Sequence, residues 1–406
     1  MNQSFKIPWM PHIRLGWVLP FISMLFFIGV STFWLGFPLM VLEVLKSDGL
    51  IGLFYALLSL VSIIVSLFIT YLLHKWKSLN IQIYSLIGMS ILIVIISLVP
   101  VGPIILWLEI LRNILSTITY FLFSLLMIEI AKNESDMLKI EGHSFLLSNI
   151  AWVIGPLIAG GIIAISNQFI LFQVSAFLTL LSSILLLSFH HPILKRLITV
   201  NKGNKEDTGK KIHSFKDNLI DYFRDKELAK LFLLTLPVQL IFITFGVYLT
   251  LMLNSLGYTL AMIGIIGGLR ILPCVFIEGW ILKLTKRWHF KSLLWLAVIL
   301  MGTFTIVLGF GFIANSAIII MSSLLIATIG IAIYEPLREV YFFKNCLPED
   351  RERFNTIHRL GPQLVGVFGV ILAGGILMID KSMVSLYFIF GLLILSSLTI
   401  VHRLKY

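Results

Sequence analysis

The chain has 406 residues, of which 58% are hydrophobic and only 13% charged. Soluble domains carry about a quarter charged residues, so this balance excludes an ordinary cytosolic enzyme. The formal charge of +11 is spread over short segments between apolar runs, which argues against a nucleic-acid partner.

A membrane-crossing helix takes about 20 apolar residues. Twelve such runs follow one another, at 15–42, 50–73, 81–100, 104–131, 144–165, 169–189, 230–253, 259–284, 293–313, 317–343, 357–379 and 383–402. The first is far longer than the roughly 7–15 residues of a signal-peptide core, so no cleavable leader is expected. Connections are short everywhere except 190–229. Short links suit a helical bundle in lipid, because irregular backbone finds no water there. The expected fold is an all-α polytopic membrane protein with twelve transmembrane helices and no strands.

Lys and Arg set the orientation. With the N-terminus in the cytoplasm, 26 of the 31 basic residues fall in inner segments. Lys46 and Lys381 fall outside, while Arg112, Arg270 and Arg338 lie within spans. Both termini are therefore expected in the cytoplasm, and topology accounts for the basic pI.

The segment 190–229 separates six spans from six, giving an N-terminal bundle at 1–189 and a C-terminal bundle at 230–406. Asn201 to Asp207 reads as a polar linker. Phe215, Leu219, Tyr222 and Phe223 then recur at helical spacing opposite Lys216, Asp217, Asp221 and Arg224. That pattern suits a helix lying in the cytoplasmic interface, or a solvated connector with some helical turns.

The halves echo each other. Lys132-Asn133 returns as Lys344-Asn345, and His74-Lys75-Trp76 has its counterpart in Lys286-Arg287-Trp288. Ile158-Ala159-Gly160-Gly161-Ile162 returns as Leu372-Ala373-Gly374-Gly375-Ile376. Nearly equal offsets at three places indicate two six-helix pseudo-repeats related by an axis along the membrane normal, an arrangement of transporters.

Span 5 contains Gly142, then Ala151, Gly155, Pro156, Ala159, Gly160 and Gly161. The spacing resembles the antiporter signature of the major facilitator superfamily, with alanine for glycine at 151 and 159. Small residues let helix backbones approach closely, and Pro156 removes a backbone donor and permits a bend. In span 4, Glu109-Ile110-Leu111-Arg112 resembles that superfamily's fourth-helix motif, and Arg112 takes the position associated with proton coupling. Leu115 and Ser116 stand where the motif has glutamine and glycine. At about 1.5 Å per residue, Arg112 lies roughly 12 Å deep, and Glu109 reaches it on the same helix face. The loops after spans 2 and 8 match the superfamily's gate motif poorly. His74 and Lys286 take its acidic positions, Lys77 and His289 its second glycine, and Lys75 and Arg287 keep its basic character.

The resemblance implies two bundles around a central cavity, with Glu109, Arg112 and Arg270 near substrate and the coupling proton. Glu278, Glu335, Arg338 and Glu339 are expected to form inner-gate ion pairs, or to be ordinary interfacial charges. The histidines show no metal-ligand spacing, and Cys274 and Cys346 make neither a metal site nor a disulfide framework. No catalytic arrangement, ATP-binding loop or cofactor site emerges, so the chain is not expected to be an enzyme. The expected function is secondary transport by alternating access, as proton-coupled export of a small amphiphilic molecule. The alternative is an organic-anion transporter that clamps its substrate between Arg112 and Arg270. The expected partners are a small-molecule substrate, protons and the lipid bilayer, with the chain acting as a monomer in the plasma membrane.

Overall fold

The structure, a computed structural model, describes residues 15–405 except 76, 132–133, 204–214, 286, 348–349 and 381. The described residues are helical throughout, without a strand among them, and twelve helices are long and apolar enough to cross a membrane. Spans 1 to 6 are α1 (Leu15–Leu45), α2 (Asp48–Lys75), α3 (Ser78–Leu98), α4 (Pro103–Glu129), α5 (Glu134–Ile165) and α6 (Gln168–Ser188). Two helices, α7 (His190–Gly203) and α8 (Phe215–Arg224), precede span 7. Span 7 consists of α9 (Lys226–Ile243), a π-helical segment (Thr244–Tyr248) and α10 (Leu249–Ser255). Span 8 is divided into α11 (Leu260–Leu269) and α12 (Leu272–Leu284). Spans 9 to 12 are α13 (Phe290–Ile313), α14 (Ala317–Asn345), α15 (Arg351–Asp380) and the pair α16 (Met383–Ser396) and α17 (Leu398–Arg403).

Local chemistry fixes the ends. Pro103 opens α4, where its missing N–H costs nothing. Asn167 caps α6 by accepting from the Ile170 N–H, and Asp225 caps α9 by accepting from Glu227 and Leu228. Two helices end in the same hydrogen-bonded turn. Gly257 (φ 83°) closes α10 with Tyr258 N–H donating to Leu253 O, and Asn315 (φ 46°) closes α13 with Ser316 N–H donating to Gly311 O.

Three expectations need correction here. Helix α5 begins ten residues before the expected start of span 5, because the polar stretch from Glu134 continues the helix outside the apolar run. Residues 190–203, read as connection, form α7, held by Arg196, which donates to Ile130 O and Asp136 Oδ2. Span 8 is broken rather than continuous. The linker stretch from Asn204 lies outside the described residues. Helix α8 occupies the expected positions, with Tyr222 buried and Phe215 and Phe223 exposed.

The chain divides into two compact units, one of Met1–Phe37 with Val61–Gly209, the other of Pro38–Leu60 with Lys210–Tyr406. Segment 38–60 therefore groups with the second unit and not with the rest of the first six spans. The cause is close packing: a Cβ on Gly49 or Gly52 of α2 would meet Met378, Gly374 or Val370 of α15 at 2.7 to 3.3 Å.

The first unit is fastened by small hydroxyl side chains. From α6, Ser175 donates to Gly29 O, Ser182 to Ile22 O and Ser183 to Ile83 O, while Ser90 of α3 donates to Ala176 O. Such bonds supply directional contacts where lipid gives helices no hydrophobic reason to associate. In the second unit α13 and α16 cross where Gly302 and Gly391 each face the other's carbonyl. The end of this unit is also tied down. Lys230 Nζ donates to Arg403 O, Lys291 Nζ to His402 O and Leu404 O, and Glu227 Oε2 accepts from the Lys405 N–H.

Candidate functional site

In the first unit, Glu109 and Arg112 sit one turn apart on α4. Arg112 Nε donates to Glu109 Oε2 and Nη2 to Oε1, both at 2.6 Å, and the side chains are 0% and 1% exposed. The Phe33 ring of α1 lies 4.4 Å from Arg112 Cζ and stacks on Phe37. A charge at the centre of a membrane helix costs about 2.5–3.5 kcal/mol or more, and pairing in fork geometry offsets much of it. Asn113 and Thr117, on the same helix, contact Ser62 Oγ of α2 at 2.9 and 3.0 Å.

The span-5 motif divides into packed and open positions. Ala151 is fully buried, and its carbonyl accepts from Ser31 Oγ at 3.2 Å. A Cβ on Gly155 would collide with Ser31 Oγ and approach Ile28 O at 3.0 Å, while Gly155 O accepts from Thr32. Pro156 and Gly160 are buried. Gly142 and Gly161 depart from the packing expectation, because a Cβ on either would meet nothing within 4 Å. Both lie on the exposed side of α5. Span 11 repeats this division in its own unit: Ala373 and Gly374 are buried, and Gly375 opens onto free space.

In the second unit, Arg270 stands in the break of span 8. Pro273 has no N–H to carry the helix across, so Ile271 N–H turns back to Gly268 O and Cys274 N–H to Ile271 O. Span 7 is irregular at a corresponding place, where Gly246 (φ −84°, ψ −106°) leaves helical conformation inside the π segment. Tyr387 of α16 donates to the Thr244 carbonyl there, at 3.3 Å. Arg270 Cζ lies 5.5 Å from the centre of the Phe245 ring in the same segment. The Arg270 Nε is buried with no hydrogen-bond partner among the described residues.

Glu335, Arg338 and Glu339 do come together on α14. Arg338 Nη2 lies 2.8 Å from Glu339 Oε1 and 3.2 Å from Glu335 Oε2. Two partners were missed by sequence reasoning. Gln239 of α9 donates to Glu335 Oε1 at 2.7 Å, and the buried His358 of α15 places Nε2 3.3 Å from Glu339 Oε1 while stacking on Phe342. Neither is signalled locally, since both arrive from other helices. The side chains of Glu278, His74, Lys75 and Lys286 lie outside the described residues. Among the described residues no group of three His, Cys, Asp or Glu is placed to hold a metal ion, and neither Cys274 nor Cys346 takes part in a disulfide.

No curated protein matches the chain in sequence. Solved structures match it in fold. A variant of the nucleoside transporter NupG superposes with a TM-score of 0.78 at 13% identity, over 97% of this chain and 100% of that one. A D-xylose–proton symporter gives 0.74 at 14% identity over 97% of each chain. A POT family transporter with a thioalcohol-conjugated peptide gives 0.72 at 15% identity, over 99% of this chain and 97% of that one. The sequence model of the Major Facilitator Superfamily matches residues 141–369, more than half of the chain, starting just ahead of the span-5 motif. Twelve membrane-length helices, that fold and that match have one reading: the chain belongs to the Major Facilitator Superfamily, and it is a transporter and not an enzyme.

Proposed function

We propose that the chain is a proton-coupled carrier, working by alternating access, that exports a small amphiphilic molecule. The observation that carries this reading is the bidentate Glu109–Arg112 pair buried in α4. A carboxylate with a single guanidinium partner in a dry site has two low-energy states, paired and ionised, or released and protonated. Burial favours the neutral form and the guanidinium favours the charged one, so a movement of Arg112 switches proton affinity at Glu109. The antiport direction follows from the resemblance of span 5 to the antiporter signature. The ion pairs of Arg338 with Glu335 and Glu339 act in this reading as an inner gate, with Glu278 included by position. The Lys and Arg distribution supports cytoplasmic termini in a plasma-membrane protein, and the carrier works as a monomer.

The test is substrate-driven proton release from acidified inverted vesicles, read with a pH-sensitive acridine dye against a panel of amphiphilic cations, neutral compounds and anions. Wild-type protein should release protons with a subset of the panel. Glu109→Gln and Arg112→Ala should abolish that release while remaining inserted. Arg112→Lys should lose most of it, because an ammonium lacks the planar fork. Normal release by both neutral variants would make the pair structural.

A further inference from the structure

Two irregularities meet in the second unit. Span 7 gives up regular helix at Thr244–Tyr248, span 8 gives it up at Arg270–Ile271, and Arg270 Cζ lies 5.5 Å from the Phe245 ring. Broken helices deep in transporters are tolerated where they line a cavity and frequently hold the bound species. Here the break presents a cation. Arg112 and Arg338 each hold a carboxylate, whereas the Arg270 guanidinium forms no ion pair or hydrogen bond among the described residues.

We propose that Arg270 and Phe245 form a recognition site for the anionic group of a substrate, a carboxylate or phosphate carried on a small aromatic or apolar body. This rests on the carrier reading above and narrows its substrate class. The Arg270 Nε has no hydrogen-bond partner among the described residues, and the N–H edges of a guanidinium match a carboxylate or phosphate in two parallel hydrogen bonds. The Phe245 ring, 5.5 Å from Cζ, adds cation–π attraction. The same π segment carries a second unused donor, since the buried Tyr248 hydroxyl has no hydrogen-bond partner among the described residues. Tyr387 is already engaged by Thr244 O and holds the segment in its irregular shape. The site differs from a clamp of two arginines, because Arg112 is committed to Glu109 in two short hydrogen bonds.

The test is thermal unfolding of the purified full-length protein in phosphatidylcholine nanodiscs with benzoate, phenyl phosphate, benzyltrimethylammonium or benzyl alcohol. Both anions should raise Tm, and the cation and the alcohol should not. Arg270→Gln should remove the anion-induced shift, and Arg270→Lys should weaken benzoate binding about tenfold through loss of the fork. If Arg270→Gln does not yield folded protein, Arg270→Lys decides, and unchanged affinity overturns the site. Equal stabilisation by the cation, no shift with either anion, or a retained shift in Arg270→Gln also overturns it. Adding phosphatidylglycerol separates a lipid from a substrate. An Arg270-dependent rise in Tm that removes the benzoate effect would assign the site to a lipid headgroup and overturn the substrate reading. Binding is read without a proton gradient, so a retained anion shift beside failed proton release, or the reverse, separates the recognition proposal from the coupling proposal.

Discussion

Arg112 grips Glu109 side-on, through two hydrogen bonds of 2.6 Å, from one turn further along the same helix. Because both groups belong to α4, the pair moves as a body with its helix. Its strength changes only through side-chain rotation or the arrival of another ligand. That makes it a local two-state element and not a strut between helices. The consequence for stability is specific. Removing one partner of a buried pair costs about 3–5 kcal/mol, whereas replacing both by neutral groups of similar volume is far cheaper. Chemical unfolding of Glu109→Gln, Arg112→Gln and the double variant should therefore show a double-variant loss well below the sum of the singles. Simple additivity would mean that the two residues do not stabilise each other.

The two glycine classes in α5 make opposite predictions. Gly155→Val forces a side chain into Ser31 and the Ile28 carbonyl, an overpacking cost of about 1–3 kcal/mol, with lower Tm and expression. Gly142→Ala and Gly161→Ala enter open space and should be neutral, or stabilising by up to about 1 kcal/mol from helix propensity. Equal damage from all three would mean that the open positions are packed against something in the membrane.

Cys346, just beyond α14, reports on pH. Burial pushes its thiol up to about 11, and nearby Asp350 adds to the effect. The folded chain therefore holds this proton more tightly than the unfolded chain does. The contribution to stability is complete below about pH 9, the ordinary thiol value, and is lost as pH climbs from there toward 11. Iodoacetamide labelling of Cys346 in a Cys274→Ser background should be slow at pH 8 and gain about tenfold per pH unit up to about pH 10. Fast labelling at pH 8 would show an accessible, ordinary thiol.

Tyr387 supports the irregular turn of span 7 through one hydroxyl. Tyr387→Phe leaves the Thr244 carbonyl without that donor, at a cost of about 1–3 kcal/mol. Hydrogen exchange should rise locally around 244–248 and remain unchanged in α13 and α14. A global rise would place the effect in packing instead.

Much of the fold was legible because the length of an apolar run is itself the membrane signal, and Glu109 and Arg112 were legible because a three-residue spacing fixes neighbours on a helix. Gly142 and Gly161 show the limit of motif reading, since spacing names small residues without saying which face they take. Pro273, three residues beyond Arg270, is a local cue to the break in span 8 that the continuous reading of that span did not use. Gly246 alone gave no warning of the π segment. His358 and Gln239 were beyond reach, because their partners lie 19 and 96 positions away on other helices. The grouping of residues 38–60 with span 11 was equally hidden: Gly49 and Gly52 look like any membrane glycines until Gly374 is opposite them.

The lysines that hold residues 402–405 take hold of main-chain carbonyls, and Glu227 takes a main-chain N–H. A grip on the peptide backbone does not depend on which side chains hang from it. The exposed positions His402, Arg403 and Lys405 should therefore tolerate substitution, whereas the buried Leu404 should not, and a one-residue deletion would slide every carbonyl out of register with its ammonium. Here length is the constrained feature, and identity is free only where the side chain is exposed.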